Sequence, residues 1–257
     1  MNEKKFFHIA IKKEDGAEYA ILPGDPGRVE KIAKFIENPR PLAENREFKS
    51  YSGTVCGQRV IIMSTGIGGP SAAIALEELC MAGVKTAVRI GTCGAMQTEI
   101  IPGSLIIATG AVRMEGTSKE YAPIEFPAVA DFNVVSALVK SAEKNGYPFY
   151  TGIVQSKDSF YGQHNPASMP VGYELQNKWE AWKQCGVLAS EMETAALFTV
   201  ARVRKIKMGC VLHALWNQER KKLGIADEEN FDMSVTIKTA VNALKILIKE
   251  KSYGERL

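Results

Sequence analysis

The chain has 257 residues, 46% hydrophobic and 24% charged, which suits one large α/β domain with a substantial core. Its 32 basic and 29 acidic side chains leave a formal charge of +3, with no run of like charge long enough for a nucleic-acid or membrane patch. Five scattered cysteines without a C-x-x-C pair, and three well-separated histidines, argue against a zinc site, a redox motif or a transition-metal centre. Met1 to Phe7 lacks the apolar stretch of a signal peptide, and no apolar run reaches about 18 residues. A cytoplasmic, reduced protein is expected.

In chain order, Tyr19 to Leu22 is predicted to be a strand. Asp25 then reads as an N-cap with Pro26 at the first helical position, opening a helix to about Glu37. Glu47 to Val55 alternates as a half-buried strand, and Arg59 to Ser64 is short and nearly all apolar. Gly66-Ile67-Gly68-Gly69-Pro70 leads into a helix, Ser71 to Ala82, that Gly83 stops. Lys85 to Ile90 and Ser104 to Ala111 follow as strands. Asp131 to Lys144 is an amphipathic helix ended by Asn145-Gly146, and Tyr150 to Gln155 is a strand. Helices are expected at Tyr173 to Cys185, Met192 to Val203 and Met233 to Lys249, with a strand at Met208 to Leu215. Arg113 to Pro127 and Ser156 to Gly172 have no clear periodicity and are rich in Gly, Pro, Tyr and Phe, as binding loops often are. Apolar runs alternating with helical patterns favour α/β, and no linker or repeat divides residues 1–257.

Three arginines stand where strands hand over to turns. Arg28 follows Pro23-Gly24-Asp25-Pro26, Arg46 precedes the strand from Glu47, and Arg89 ends an apolar run just before Gly91-Thr92-Cys93-Gly94. A guanidinium fork matches an oxyanion, and glycines let backbone N–H groups approach the same ion. Any one of the three taken alone reads equally well as a surface ion pair. Arg89 is the hardest to dismiss, because a buried arginine without an anionic partner is costly. The glycine run at 66–69 superficially fits a dinucleotide fingerprint, but that needs an acidic residue at the end of the next strand, where Arg89 stands instead. Glu191-Met192-Glu193 at a helix start reads either as dipole partners or as two carboxylates for vicinal hydroxyls around an apolar thioether. Phe160-Tyr161-Gly162-Gln163-His164 is either a packed loop or an aromatic face beside a carboxamide, suited to a flat heterocycle.

Together, Pro23-Gly24-Asp25-Pro26 with Arg28, Ser64 to Ser71, Arg89-Ile90-Gly91-Thr92 and Glu191-Met192-Glu193 resemble the nucleoside phosphorylase-I family. Phe7-His8, Asn45-Arg46-Glu47-Phe48 and Glu125 to Asp131 are most similar to its uridine phosphorylase branch, and the likeness runs from about Phe6 to Ile248. The resemblance implies one α/β domain with a mixed central β-sheet flanked by helices, assembled as a ring-shaped hexamer of dimers. It implies reversible phosphorolysis of a nucleoside to free base and ribose 1-phosphate, with inorganic phosphate as co-substrate and no metal in the chemistry. On that resemblance, phosphate falls to the Gly24 N–H, Arg28, Arg89 and Thr92, with Arg46 arriving from a neighbouring subunit. Ribose falls to Met192 and Glu193, with Glu191 close by and His8 of the neighbour at the 5′-hydroxyl. The base falls to Phe160 and Gln163. Arg89, Glu193 and Gln163 are the expected catalytic side chains, and Glu47, Ile67 and Ser71 match a monovalent cation site between subunits.

The chain departs from the branch at the base. Asn165 and Gln218 stand where the branch has arginines, and the loop from Phe160 to Gln163 is one residue shorter; Arg220 is the expected substitute. No Asp follows Asn217 before Asp227, which disfavours 6-aminopurines. The expected activity is uridine phosphorolysis, extending to deoxyuridine or thymidine. A purine or broad-specificity phosphorylase, a phosphate-independent nucleosidase and a non-catalytic nucleoside-binding protein are the alternatives.

Overall fold

A computed structural model describes residues 5–254; Met1 to Lys4, read above for a leader, lie outside them. The elements run β1 (Tyr19–Pro23), α1 (Val29–Ala33), β2 (Glu37–Asn45), β3 (Phe48–Val55), β4 (Gln58–Met63), α2 (Gly69–Met81), β5 (Thr86–Ala95) and β6 (Leu105–Met114). They continue with β7 (Ala128–Val129), α3 (Phe132–Asn145), β8 (Phe149–Lys157), α4 (Phe160–His164), α5 (Gly172–Gln184) and β9 (Ala189–Glu191). The last are α6 (Thr194–Val203), β10 (Lys207–Asn217), α7 (Gln218–Lys222) and α8 (Ser234–Gly254).

All ten strands join one mixed sheet. On one side of β5 lie β1, parallel to β5, and β4, parallel to β1; β4, β3 and β2 then form an antiparallel meander. On the other side β5 pairs with β10 in parallel, β10 with β6 antiparallel, β6 with β8 and β8 with β9 in parallel. Strand β9 then returns to the end of β5, so these five strands close into a ring. The closure depends on the length of β5. Its pairing with β1 ends at Pro23↔Ile90, and pairing with β9 begins at Gly94↔Ser190. Gly91, Thr92 and Cys93 are therefore paired on one edge only, to β10, and their other edge opens beyond the carboxyl end of β1. Crevices at the carboxyl ends of parallel strands are where open α/β sheets bind ligands.

Alternation along the strands fills both faces of the sheet. Leu22, Ile61, Met63 and Leu212 face one core with Leu76 and Leu79 of α2 and Phe198 of α6. Ile21, Val60, Ile62, Val88 and Val211 face the other, with Ile32 of α1, Leu138 of α3 and Val241 and Leu244 of α8. No described helix is long and apolar enough to cross a membrane.

Three expectations need correction. The helix opened by Asp25 begins as a 3-10 turn, Pro26–Arg28, and α1 stops at Ala33 rather than near Glu37. Glu37–Asn45 is a strand that the pattern did not announce, because its outer edge has no partner strand among the described residues and it is largely exposed, so Pro39 and Pro41 are tolerated and no buried stripe shows. Strand β5 runs on through Gly91 and Gly94, where glycine suggested an end. A Cβ at Gly91 would meet Leu212 at 2.7 Å and the Arg89 guanidinium at 2.9 Å, so these glycines serve close packing rather than a turn. The irregular stretch after β6 is organised by Arg113, whose buried guanidinium donates to the carbonyls of Ser118, Ala122, Pro123 and Phe126.

Asp131 caps α3, accepting from Asn133 N at 3.0 Å and Val134 N at 3.3 Å. Asp131→Ala is expected to lower stability by about 1 kcal/mol in urea unfolding, with nucleoside binding unchanged.

Candidate active site

Arg89 lies on β5 between the buried Val88 and Ile90 and is 3% exposed. A guanidinium at that depth is costly unless paired. Its Nη2 donates to Glu193 Oε2 at 2.5 Å and lies 3.1 Å from Glu191 Oε2. Burial alone pulls its pKa down, but the two carboxylates outweigh burial and hold it above the ordinary arginine value. Both glutamates come from the β9–α6 junction. Burial pushes each carboxyl up; in Glu191, Arg89 together with donors from Ser156, Glu193 N and Thr194 N reverses the shift. Glu193, beside Glu191, ends above the ordinary carboxylate value despite Arg89 and the Gly68 N–H. That N–H reaches Glu193 Oε1 at 2.6 Å from a residue at φ +87°, a conformation in which glycine is at ease.

The remaining donors of Arg89 point elsewhere. Nε and Nη1 are buried and have no hydrogen-bond partner among the described residues. Nη1 faces Gly24, where an added Cβ would come within 3.9 Å of it. Arg28 approaches from the 3-10 turn that Asp25 caps through the Gly27 N–H at 2.8 Å. Burial lowers the Arg28 pKa, Asp25 opposes that, and the like charge of Arg89 adds to it.

These groups line a cavity of about 580 Å³, together with Gly24, Thr92, Phe160, Met192 and Glu193. Its end at Arg28, Arg89, Gly24 and Thr92 is cationic with unused donors, which suits an oxyanion. The Glu193 carboxylate and the Met192 thioether suit a polyol with an apolar underside. Phe160, His164 and Trp216 offer ring faces for a flat heterocycle: His164 lies 4.3 Å from Phe160 and 5.5 Å from Trp216, centroid to centroid.

Not every expected residue is there. Gln163 lines a second cavity of about 250 Å³ instead, and its Oε1 accepts from Ser190 Oγ at 2.5 Å. Arg220, expected at the base, lines neither cavity. Its Nε and Nη2 are held by Asp227 at 2.6 and 2.9 Å, and its Nη1 by Thr98 O at 2.9 Å. His8 and Arg46 also lie away from this chain's own cavity. His8 Nδ1 is 2.7 Å from Glu78 Oε1, its carbonyl accepts from Asn45 Nδ2 at 2.8 Å, and Arg46 forms the exposed turn between β2 and β3 at φ +55°. Glu47, Ile67 and Ser71 sit together at the cavity rim, with Ser71 Oγ 2.7 Å from Glu47 Oε1.

Sequence reading missed Ser156, Lys157 and Ser190. Lys157 ends β8 and is 6% exposed, with Nζ donating to Ser190 Oγ at 2.8 Å. The available signal was the polar run Gln155-Ser156-Lys157 continuing a strand whose apolar pattern had stopped. Burial depresses the Lys157 pKa from 10.5 to about 8, against the attraction of Glu191 and Glu193. A depressed lysine makes the native state bind fewer protons than the unfolded chain between those values, so this residue's cost is full below about pH 8 and is relieved as pH rises toward 10.5. Urea unfolding should show Lys157→Met more stable than wild type at pH 7, with the difference shrinking at alkaline pH. A gap that widens with pH would contradict the assignment.

A profile of the phosphorylase superfamily matches residues 18–249. A relative called uridine phosphorylase from Treponema pallidum (strain Nichols) is 51% identical over 246 residues, spanning 96% of this chain and 95% of its own length. Another uridine phosphorylase, from Thermococcus kodakarensis, is 42% identical across 97% of this chain and 89% of its own. A guanosine phosphorylase from Halorubrum lacusprofundi is 41% identical across 79% of this chain and 80% of its own. With the motifs in order on one continuous sheet and this likeness spanning nearly every element, the chain belongs to the phosphorylase superfamily.

Proposed function

We propose that the protein is a uridine phosphorylase, a pentosyltransferase that converts uridine and inorganic phosphate reversibly to uracil and ribose 1-phosphate. The observation that carries this reading is the split use of Arg89. One nitrogen is fixed by Glu191 and Glu193, while Nε and Nη1 are buried without a protein partner beside Gly24 and Arg28. A hydrolase would have no anion to place against those cations.

In this reading phosphate is held by the Gly24 N–H, Arg28, Arg89 and Thr92, beneath C1′ of a ribose seated on Met192 and Glu193. The C1′–N1 bond breaks early, leaving an oxocarbenium-like sugar, and phosphate adds to the opposite face with inversion. The protein's work is positioning and charge stabilisation rather than covalent catalysis. Glu193 accepts the ribose hydroxyls, and Glu191 holds Glu193 and the start of α6 in place. The base lies against Phe160, with Gln163 behind it through Ser190.

His8 and Arg46 serve the site of an adjoining copy in an oligomer, a hexamer of dimers. Their position off this chain's own cavity, beside a Phe7 that is 78% exposed, supports that part of the reading. The rim cluster of Glu47, Ile67 and Ser71 is the place for a monovalent cation between copies. Cytoplasmic salvage of pyrimidine nucleosides is the fitting role. The guanosine phosphorylase among the relatives keeps a purine or broader substrate range as the second reading.

A nucleoside panel with and without phosphate tests the proposal. Uracil release from uridine should require phosphate, and Arg89→Lys should lower kcat/KM about a hundredfold or more by losing the forked donors. Equal rates without phosphate would establish a hydrolase. Faster release of guanine than uracil would favour the purine reading.

A further inference from the structure

We propose that Lys157 is a catalytic residue for the departing base: its ammonium, beside Phe160 and Ser190, donates a hydrogen bond to the base as negative charge builds on it. The inference deepens the phosphorylase reading and rests on it.

Lys157 is the only buried lysine among the described residues, and it lines both cavities, the larger one with Phe160 and the smaller one with Gln163. Its Nζ donates to Ser190 Oγ, and Ser190 Oγ donates onward to Gln163 Oε1, so one of three N–H donors is used. No carboxylate of the described residues lies within 4.0 Å of Nζ. Glu191 and Glu193 attract it from farther away, but both are already paired with Arg89. Cys93 on β5 and His164 on α4 also face it, and neither carries a negative charge near neutral pH. Asp158, Glu180 and Lys222 share the smaller cavity with it, but Asp158 accepts from Gly116 N, Glu180 is paired with Lys183, and Lys222 with Glu219. A buried ammonium with free donors and no direct counter-ion is arranged for a partner that becomes anionic.

The chemistry supplies such a partner. As a phosphate oxygen bonds to C1′ and the C1′–N1 bond breaks, its electron pair leaves with the base. That charge spreads over the base carbonyls. The proton of monohydrogen phosphate ends on the base by way of solvent, so Lys157 keeps its own. Among the described residues, no other unpaired cation covers this end of the site. Asn165 and Gln218 are neutral, Arg220 is held by Asp227, and Lys222 is paired with Glu219 at 2.8 Å. Gln155 Oε1 and Gln218 Oε1 are buried acceptors, which repel an anion rather than stabilise it.

The test compares phosphorolysis of uridine and 5-fluorouridine by wild type, Lys157→Met and Lys157→Arg. The fluorinated base is the better leaving group and needs less help. Lys157→Met should lower kcat/KM on uridine about a hundredfold and on 5-fluorouridine at most about tenfold, with the KM for phosphate unchanged. Lys157→Arg should recover part of the uridine rate. The wild-type alkaline limb near pH 8 should move up in Lys157→Arg, relative to any titration of uridine itself. Equal losses on both nucleosides, or a Met variant as fast as wild type, would overturn the assignment. If Lys157→Met does not fold, NMR of wild-type protein labelled at lysine side-chain nitrogens decides: saturating uracil with phosphate should shift one buried Nζ signal, and no shift overturns it. A wild-type protein inert toward both nucleosides sinks the phosphorylase reading and the Lys157 assignment together.

Discussion

An arginine buried in a strand between two carboxylates sets the terms for the rest of the structure. Arg89 can occupy the interior of β5 only because Glu191 and Glu193 reach its Nη2 from the β9–α6 junction. That contact ties the site to the closure of the strand ring, since β9 reaches β5 only beyond the point where β1 stops. Excess negative charge in the pair is shared with the backbone: Gly68 N donates to Glu193, and Thr194 N and Glu193 N donate to Glu191. Removing Arg89 would leave two buried carboxylates without their cation, at a cost of about 3–5 kcal/mol. The triad is also directional. By fixing one face of the guanidinium, it aims the other at Gly24 and Arg28.

Charge along the cavity follows from that arrangement. Two guanidinium groups at one end repel each other, as the lowered pKa of Arg28 reflects after burial is counted. Carboxylates occupy the middle, and an ammonium the far end. Positive, negative, positive is the order that a phosphate, a sugar and a departing base anion would meet. The protein groups are held at these positions by strand ends and a helix start, so little reorganisation is needed when charge moves between the ends.

Much of this was legible in the chain because it is local. Asp25 and Pro26 announce a capped turn, Asp131 the start of a helix, and the nearly all-apolar run from Arg59 to Ser64 a buried strand. Arg89 in an apolar run signalled that an anionic partner must exist, although spacing alone could not say that the partners lie near residues 191 and 193. What stayed hidden depends on distant contacts. Strand β2 carries no buried face of its own, so no strand pattern marked the stretch through Pro39 and Pro41. The glycines at 91 and 94 read as a turn because the close approach of Leu212 and Trp216 is invisible in one dimension. Arg220 seemed free to reach the base, yet Asp227, seven residues on, captures it. Lys157 was overlooked for the opposite reason: a lysine after a strand is ordinarily solvated, and only packing by β6, β9 and α4 makes it buried.

The central claim is that Arg28 and Arg89 converge on one oxyanion, with Glu191 and Glu193 holding Arg89 in place. A crystal structure with phosphate present tests it most directly. The account predicts a single tetrahedral ion contacting Arg89 Nη1, Arg28 and the Gly24 N–H, while Nη2 keeps both carboxylates. Density for phosphate elsewhere, with Arg28 and Arg89 turned toward separate partners, would contradict it.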